Sequence, residues 1–441
     1  MGSMLNIPSR MEGPEQKTII GKPEITVSAK GIVNGTSVYL NDGADFGPDT
    51  KLGATTLGQY GPPYTQTIGL QEADTYVHSK NFIQGYGQAG TIRMTEGEFG
   101  LTATYKPSNY TRLVGAGEIQ TQLFAAANGM TVIKNDASSI FTHNQFSNFS
   151  INSFGQGATA LDIEQPENAS SNMFENIVIV GQWSAAPYKF IGVEGTRLKN
   201  FKVEQQGTSP FGQISTPGGS FFVEKSTLGN VSVAAQIMSI EGTVLQQISL
   251  SDTTNIMVLD RSYQANPFSG NRIILNGFVV QNMIIKNSML GLSSSASLFD
   301  LSVTNSAINS LSMENCHLQN LDGTTVNWST GTLAPTHLHT KYITIEGTIS
   351  GLPFDVYNNI SNNYVVSTPA VPASGTAQQN TNPFPVMVYV YGGTVTAIDY
   401  TPAGGTAIEV GTAGPASIRL NTGDSITLTY SATPSWKWAS A

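Results

Sequence analysis

Charged residues and cysteine are scarce in this chain of 441 residues. It has 21 basic and 30 acidic residues, so 12% of its side chains are charged where roughly 25% is typical. The basic residues form no run that could neutralise a row of phosphates, which argues against nucleic acid as a partner. The single cysteine, Cys316, excludes an intrachain disulfide, and its apolar neighbours predict a buried thiol.

Long apolar runs are also missing. No stretch approaches the ~18 residues of a membrane-spanning helix and no signal peptide is visible, so we expect no membrane insertion. Residues 1–3 precede Met4 and are interpreted as a cloning scar. Solubility therefore rests on neutral polar side chains and on glycine, of which there are 45.

A short unit, Asn or Gln followed by apolar, any and apolar residues, recurs through the middle of the chain. Several intervals between its copies fall between 24 and 30 residues, which is typical of one coil of a solenoid. The copies begin at Asn148, Asn176, Asn200, Asn230, Gln247, Asn255 and Asn282.

Alternate residues of a strand face opposite ways, so the apolar positions of these units predict stacked inward columns that include Phe149, Ile177 and Phe201. The asparagines predict a ladder at a corner of the coils, because Asn tolerates left-handed backbone geometry. Its expected members are Asn148, Asn176, Asn200 and Asn230. In the same register Glu175 should form an exposed ion pair with Lys199.

The segment from Asp42 to Glu118 contains four features in a set order. They are an acidic Asp-Gly stretch that ends near Asp49, an amphipathic helix near residues 69–84, the run GTIRMTEGEF, and the run TRLVGAGE. This order resembles the N-terminal cap and first coils of pectate-lyase-like parallel β-helix proteins of the phage and virus tailspike type. The adjacent Asp pair usual in that family is replaced here by DFGPDT.

The resemblance implies an all-β protein, a right-handed single-stranded parallel β-helix with an N-terminal cap helix. It also implies a homotrimer on a virion surface or in the extracellular space, with cell-surface polysaccharide as its partner. No cofactor is expected.

The C-terminal part has a different composition. A Pro/Ser/Ala/Asn-rich stretch is followed by strictly alternating runs with Gly-Gly and Asn-Thr-Gly-Asp turns, which predict a small β-sandwich of roughly five strands. This module resembles the C-terminal modules of fibre proteins, and Trp436 and Trp438 should bury one face of its last strand. We therefore expect an N-terminal arm (1–60), the β-helix (61–364), a linker (365–380) and the β-sandwich (381–441).

Catalysis by a glycan-cleaving β-helix would require paired carboxylates. The Gly-His-Gly segment and adjacent aspartates of polygalacturonases are absent, and so is the calcium-binding carboxylate cluster of pectate lyases. Tailspike depolymerases share no common motif, so carboxylates along the coils stay open as candidates. They are Glu164, Glu175, Glu204, Asp252 and Asp260.

Aromatic residues on loops are the better indication of glycan binding, because sugar rings stack on aromatic faces. Two insertions, GQWSAAPYKF and DRSYQANPFSGNR, interrupt the coils. The candidates that they supply are Trp183, Tyr188, Tyr263, Phe268 and Arg261. The alternative is that these rings cover the end of a coil or pack against another subunit.

His337 and His339 point to one side if they lie on a strand, and around a threefold axis such pairs could hold a metal. Two exposed histidines that bind no metal are the simpler interpretation. Three functions thus compete: a virion spike or fibre that binds host glycans, a depolymerase that cleaves them, and a non-catalytic adhesin or structural β-helix.

Overall fold

The structure is a computed structural model that describes residues 24–29, 44–79, 90–138, 141–165, 171–205, 211–264, 272–292, 296–320, 326–333, 335–346, 349–351, 366–382, 385–412 and 414–440. In these residues strands predominate, and the α-helix is α1 (Leu70–Ser79). The N-terminal arm lies largely outside the described residues.

Among the described residues, twenty-six strands form one parallel sheet that winds into a right-handed β-helix, as expected from the sequence. They are β1 (Glu24–Val27), β2 (Gly90–Met94), β3 (Gly97–Leu101), β4 (Thr111–Val114), β5 (Thr121–Ala125), β6 (Met130–Lys134), β7 (Gln145–Asn152), β8 (Gly157–Glu164), β9 (Met173–Gly181), β10 (Tyr188–Ile191), β11 (Thr196–Gln205), β12 (Gly212–Glu224), β13 (Thr227–Glu241), β14 (Val244–Leu250), β15 (Thr254–Asp260), β16 (Tyr263–Gln264), β17 (Ile273–Ile274), β18 (Val279–Lys286), β19 (Met289–Leu292), β20 (Ser297–Asp300), β21 (Ala307–Glu314), β22 (His317–Asn320), β23 (Val326–Thr330), β24 (His337–Lys341), β25 (Thr344–Glu346) and β26 (Ile349–Ser350).

Strand pairing divides each coil among three faces. Face 1 contains β1, β2, β4, β15, β18, β21 and β24 with the paired parts of β7, β9, β11, β12 and β13. Face 2 contains β3, β5, β16, β19, β22 and β25 with the later parts of β7, β9 and β11 and the first residues of β13 and β14. Face 3 contains β6, β8, β10, β17, β20, β23 and β26 with parts of β12, β13 and β14.

The predicted inward columns are confirmed. Phe149, Ile177 and Phe201 are paired in register on face 2, and all three are fully buried. On face 1 the rings of Phe146 and Phe174 meet edge to face, with centroids 5.3 Å apart. Such columns bury each coil's apolar side only against its neighbours in the stack.

At the corner between faces 1 and 2, one residue in each of several successive coils has a left-handed backbone conformation, with a positive φ angle. Asn148, Asn176 and Asn200 have φ angles of 63°, 54° and 48°. The Asn176 amide donates to Asn148 Oδ1 at 2.8 Å, and the Asn200 amide donates to Asn176 Oδ1 at 2.8 Å, which confirms the ladder over these coils. The φ angle stays positive in the coils that follow, at Lys225, Gly242, Arg261, Asn287, Asn315 and Tyr342.

The prediction that Asn230 extends this ladder is wrong. Lys202 pairs with Thr227, so the residue that stacks on Asn200 is Lys225. Asn230 lies further along β13, where it pairs with Gln247 of β14. The apolar unit after Asn230 therefore belongs to a different face.

Small polar side chains follow the corner inside the coils. The hydroxyls of Ser226, Thr243, Ser262 and Ser288 each donate to the carbonyl two residues earlier. Cys316 occupies the next position of this column, and its buried thiol lies 3.4 Å from the carbonyl of Glu314, so the predicted burial is confirmed.

The charged residues just before the corner face outward. Lys199 Nζ lies 2.6 Å from Glu175 Oε1, which confirms the predicted ion pair.

Helix α1 caps the first coils and lies within the predicted span of 69–84, of which residues 80–84 are outside the described part. The fully buried Asp74 attaches it to the β-helix by accepting hydrogen bonds from the hydroxyls of Ser108 and Thr111 at 2.6 and 2.7 Å. The His78 ring nitrogens approach the backbone oxygens of Asp74 and Asn109 at 2.7 and 2.6 Å. Burial raises the pKa of Asp74 against the influence of His78 and of these hydroxyls.

The C-terminal residues form two small antiparallel sheets around a separate apolar core. One sheet has the order β27-β32-β29-β30 and the other β31-β28-β33. The strands are β27 (Ala377–Gln379), β28 (Val386–Tyr391), β29 (Thr394–Thr401), β30 (Ile408–Gly411), β31 (Ala416–Leu420), β32 (Ser425–Ala432) and β33 (Ser435–Ser440).

Trp436 and Trp438 are buried on one face of the last strand of this sandwich, as predicted, with ring centroids 5.7 Å apart. Part of the stretch that the composition marks as a linker contacts the same core. The Trp436 indole donates to the carbonyl of Pro369 at 2.7 Å, and Tyr430 donates to that of Pro372 at 2.7 Å.

The asparagine ladder should contribute measurably to stability. Asn176→Ala removes two ladder hydrogen bonds and places alanine at a left-handed position, so we expect the free energy of unfolding to fall by about 2 kcal/mol. Asn176→Gly keeps the backbone freedom and should lose about half as much. The measurement is the urea midpoint by circular dichroism, with the exposed Asn255→Ala as control. Equal midpoints for Asn176→Ala and the control would contradict this role.

Candidate functional site

A cleft of about 500 Å³ opens on face 2. We call it the face-2 cleft. Its lining comes from the turn before β5 and from the outward sides of β5, β7, β9 and β11, and consists of Glu118, Ile119, Gln122, Ser150, Val178, Val180, Lys202 and Glu204. It thus spans four successive coils along the long axis of the β-helix.

The floor of the cleft follows directly from the strand register. Gln122 pairs with Ser150, Ser150 with Val178, and Val178 with Lys202, so these four side chains form one outward row. A second row, two residues further along each strand, brings Val180 beside Glu204. Strands are ~4.8 Å apart, so in the first row the buried Ser150 and Val178 separate Gln122 from Lys202 along the coils.

Glu118 is held in the wall of the cleft by two neighbours. Its Oε2 lies 3.0 Å from Lys202 Nζ, and its Oε1 accepts a hydrogen bond of 2.9 Å from the Asn200 amide. Asn200 is the third asparagine of the ladder that begins at Asn148. An asparagine of the corner between faces 1 and 2 therefore also orients the Glu118 carboxylate in the cleft.

Apolar side chains lie at the rim. Ile119, next to Glu118, is 92% exposed. Phe124 of β5 lies at the end of the second row opposite Glu204. Its ring meets that of the 54% exposed Phe154 edge to face, with centroids 5.1 Å apart. Phe154 has a φ of 44°, a left-handed conformation that is rare for a bulky residue. Exposed apolar surface beside hydrogen-bonding groups is the combination that carbohydrate sites require.

The structure separates the five catalytic candidates. Glu204 lies in the face-2 cleft, while Glu175 is on face 1 and is paired with Lys199. Asp260 lies just before the corner, accepts a 2.9 Å hydrogen bond from the Asn287 amide and is 3.9 Å from Arg261 Nε. Asp252 is in a turn, where its carboxylate accepts a hydrogen bond from the Thr253 amide. These carboxylates form no common site.

Glu164, the fifth candidate, belongs to a charged cluster on face 3. The buried Asp162 lies 2.9 Å from Lys134 Nζ and 3.9 Å from Lys189 Nζ, and Lys134 is 3.9 Å from Glu164. Partial burial raises the pKa of Glu164, and its hydrogen bond and charge repulsion with Asp162 raise it further. A raised pKa is what a general acid requires, although structural clusters also produce one.

Two of the aromatic glycan candidates need correction. Trp183 is 2% exposed because its indole lies directly over Gly157, where even a Cβ atom would collide with it. Tyr188 is fully buried over Gly212, and burial strongly raises the pKa of its phenol. Neither ring presents a face to a ligand. The alternative interpretation, that rings of these insertions cover the coil, applies to both.

The remaining candidates of that group are spread apart. Tyr263 is half-buried on face 2 between Val244 and Met289. Arg261 is exposed at the corner, where it pairs with Glu241. Phe268 lies outside the described residues. The aromatic insertions thus do not form one binding face in the part of the chain that the structure describes.

His337 and His339 are exposed on face 1 and point to the same side of β24, as the alternation predicts. They pair with Ser310 and Ser312 of β21, so no acidic or sulfur ligand flanks them in the neighbouring strand. Among the described residues, no group of three potential metal ligands converges.

Sequence reasoning identified Glu204 but missed its neighbours in the cleft. Glu118 ends the run TRLVGAGE, which marked the first coils without indicating a site. Gln122 and Ser150 carry no motif, and only the strand register shows that they lie in one row. The exposed Phe154 follows an asparagine and a serine and resembles any turn residue.

No family model matches this sequence, and no curated protein matches it. Among solved structures, a double mutant of the tailspike protein of E. coli bacteriophage HK620 is similar over 89% of this chain and 92% of its own, with 10% identity and a TM-score of 0.43. ORF18 of Geobacillus virus E2 matches over 82% and 72%, with 15% identity and a TM-score of 0.37. PfbA, a surface adhesin of Streptococcus pneumoniae, matches over 64% and 89%, with 9% identity and a TM-score of 0.38. Likenesses at this level assign no function.

Within the described ranges, no helix has both the length and the apolar character that crossing a membrane requires.

The raised pKa of Glu164 predicts that this residue destabilises the folded protein at neutral pH but not at acidic pH. The folded state binds the proton of Glu164 more tightly than the unfolded state does. The contribution of this residue to the free energy of unfolding is therefore fully present below about pH 4.5, its ordinary pKa, and is lost as the pH rises through its pKa in the folded state. Glu164→Gln should therefore raise the melting temperature at pH 7 and leave it unchanged near pH 3. The exposed Glu98→Gln is the control. A lower melting temperature for Glu164→Gln at pH 7 would show that the carboxylate is stabilised as an ion.

Proposed function

We propose that this protein is a tailspike- or fibre-like component of a virion surface that binds cell-surface glycans of its host through the face-2 cleft. In this proposal it belongs to the pectate-lyase-like β-helix superfamily, carries a fibre-type C-terminal module and acts outside the cell. The observation that carries the proposal is the cleft itself, where Glu118, Gln122 and Lys202 adjoin exposed apolar side chains.

The shape of the cleft supports a chain-like ligand. It runs across four coils whose parallel strands are in register, so its lining side chains follow one another along one direction. The amide of Gln122 suits sugar hydroxyls, and the exposed Ile119 offers apolar surface to a ring. The four features between Asp42 and Glu118 that resemble tailspikes support a place on a virion.

A homotrimer is part of the proposal. On face 1, Phe222, Val258 and Ile284 lie in one row along the coils and point away from the core. Each of them is half-buried. Apolar side chains exposed along one side of a coil stack are typical of surfaces that meet another molecule. Side-by-side packing of identical copies would cover them.

Depolymerisation is the second candidate function, and the charged cluster on face 3 favours it. Glu164 has a raised pKa and Asp162 is next to it, so one carboxyl group could hold a proton while the other is ionised. Hydrolysis would then occur on face 3, away from the face-2 cleft.

The decisive experiment incubates the purified chain with a panel of bacterial and archaeal surface polysaccharides and records both bound protein and released reducing or unsaturated ends. We expect binding to at least one polysaccharide, weakened about tenfold by Glu204→Gln, which removes a charged hydrogen-bond acceptor, or by Gln122→Ala, which removes an amide. Glu346→Gln, an exposed carboxylate later on the same face, is the matched control.

Absence of binding to any polysaccharide, or cleft variants that bind like the wild type, would overturn the proposal. Released ends that disappear in Glu164→Gln, with binding retained, would establish the depolymerase. Binding without released ends would leave attachment as the function.

Light scattering tests the trimer. We expect about three times the mass of one chain at micromolar concentration, and a monomeric mass for Ile284→Glu, because a charge would disrupt apolar packing between copies. Gln281→Glu, a change to an exposed side chain of the same strand, should leave the trimer intact. A monomeric mass for the wild type would contradict this part of the proposal.

A further inference from the structure

The outer face of the three-stranded sheet β31-β28-β33 carries two exposed tyrosines. Tyr389 and Tyr391 are 46% and 48% exposed and lie on β28, the central strand, two residues apart and therefore on the same side. The inner side of the same strand is the buried valine row Val386, Val388 and Val390. The core is thus complete without the tyrosines, and their rings have no role in it.

A shallow cavity of about 390 Å³ adjoins the rings. It is lined by Tyr389, Val390, Tyr391, Pro415, Ala416 and Ser417. Residues i and i+2 of a strand are separated by about 7 Å, so the two rings offer adjacent aromatic surfaces on a rigid support. Rigid aromatic surfaces beside hydroxyl groups are suited to stacking against sugar rings.

Charge is distributed unevenly over the sandwich. From residue 366 onward the chain has two basic residues, Arg419 and Lys437, and three acidic ones, Asp399, Glu409 and Asp424. Both basic residues lie on the strands that flank the tyrosines, whereas the acidic ones belong to the other sheet or to the turn that leads into it.

The two cations face the same way as the tyrosines. Tyr389 pairs with Lys437 on one side and with Ser417 on the other, and Arg419 lies two residues beyond Ser417, opposite Met387. Both cations are exposed, and neither forms an ion pair with a described carboxylate. A surface with two unpaired cations therefore surrounds the aromatic pair, in a protein whose net charge is −9.

We propose that this face, formed by Tyr389, Tyr391, Ser417, Arg419 and Lys437, is a second saccharide-binding site that takes an acidic glycan. The tyrosine rings stack on sugar rings, and the two cations bind their carboxylates. The face-2 cleft differs in charge, since its two glutamates outnumber Lys202. The proposal does not depend on ligand binding at that cleft.

Nucleic acid would also combine rings with negative charge, but two cations are few for a phosphate backbone. Sites for single strands rely on a basic groove that follows the backbone over several nucleotides. The described part of the sandwich offers no third cation, because residues 366–441 contain only Arg419 and Lys437. An acidic saccharide, with one charge on each ring, matches this face better.

The test titrates the full chain by calorimetry with an oligogalacturonate and with a neutral malto-oligosaccharide of equal length. We expect the acidic ligand to bind and the neutral one to bind at least about tenfold more weakly. Tyr389→Ala with Tyr391→Ala should weaken binding of the acidic ligand by at least about tenfold, and so should Arg419→Gln with Lys437→Gln. Arg419→Lys should retain most of the affinity.

The matched control is Tyr342→Ala, which removes a 61% exposed ring that also lies beside a cation, Lys341, but on the β-helix. It should leave binding of the acidic ligand unchanged, so that a loss of affinity in the tyrosine variant is assigned to this face. An unchanged thermal unfolding curve verifies that the sandwich variants remain folded.

Equal affinity for the neutral ligand, or tyrosine variants that are folded and bind like the wild type, would overturn the proposal. Tighter binding of a single-stranded oligonucleotide would assign the face to nucleic acid instead. A tyrosine variant that changes the molar mass rather than the affinity would make the face an interface between copies.

Discussion

At the corner between faces 1 and 2 the backbone adopts a left-handed conformation in one coil after another, and the rest of the β-helix is arranged around it. L residues adopt this conformation at a cost of about 1 kcal/mol or more, which asparagine lowers by hydrogen bonding locally. Asn148, Asn176 and Asn200 meet the requirement and join their amides into a ladder. The inward hydroxyl column and the outward charges are fixed in register because they flank this corner.

The same register accounts for what could be predicted from the sequence. Strand alternation and a recurring asparagine identified the inward columns, the ladder and the pair Glu175–Lys199, since these depend only on residues close in the repeat. The error at Asn230 has a physical cause. Corner residues are 28 apart from Asn148 to Asn176 but 17 apart from Lys225 to Gly242. When coils vary in length, the apolar unit alone does not tell which face it occupies.

The candidate sites were harder to predict because exposure depends on what lies above and below each coil. Trp183 resembles a loop aromatic in the sequence, yet an adjacent coil supplies Gly157 as a flat surface under its indole. Conversely, Glu118 and Ile119 follow a glycine-rich turn and become the wall of a cleft only because Asn200 and Lys202 lie beside them, three coils later. The exposure of the two tyrosines of β28 follows from the alternation of residues along a strand. Their interpretation as a binding face depends also on Arg419 and Lys437 of the neighbouring strands.

The cap helix α1 has a consequence for how copies of this chain can meet. The first coil of any parallel β-helix exposes backbone groups that could pair with the last coil of another molecule, and repeated pairing of that kind builds an endless filament. With α1 attached over the first coils through the buried Asp74, head-to-tail growth is blocked at that end. Any contact between copies is thereby directed to the flanks, where a rotation that closes on itself gives an assembly of finite size.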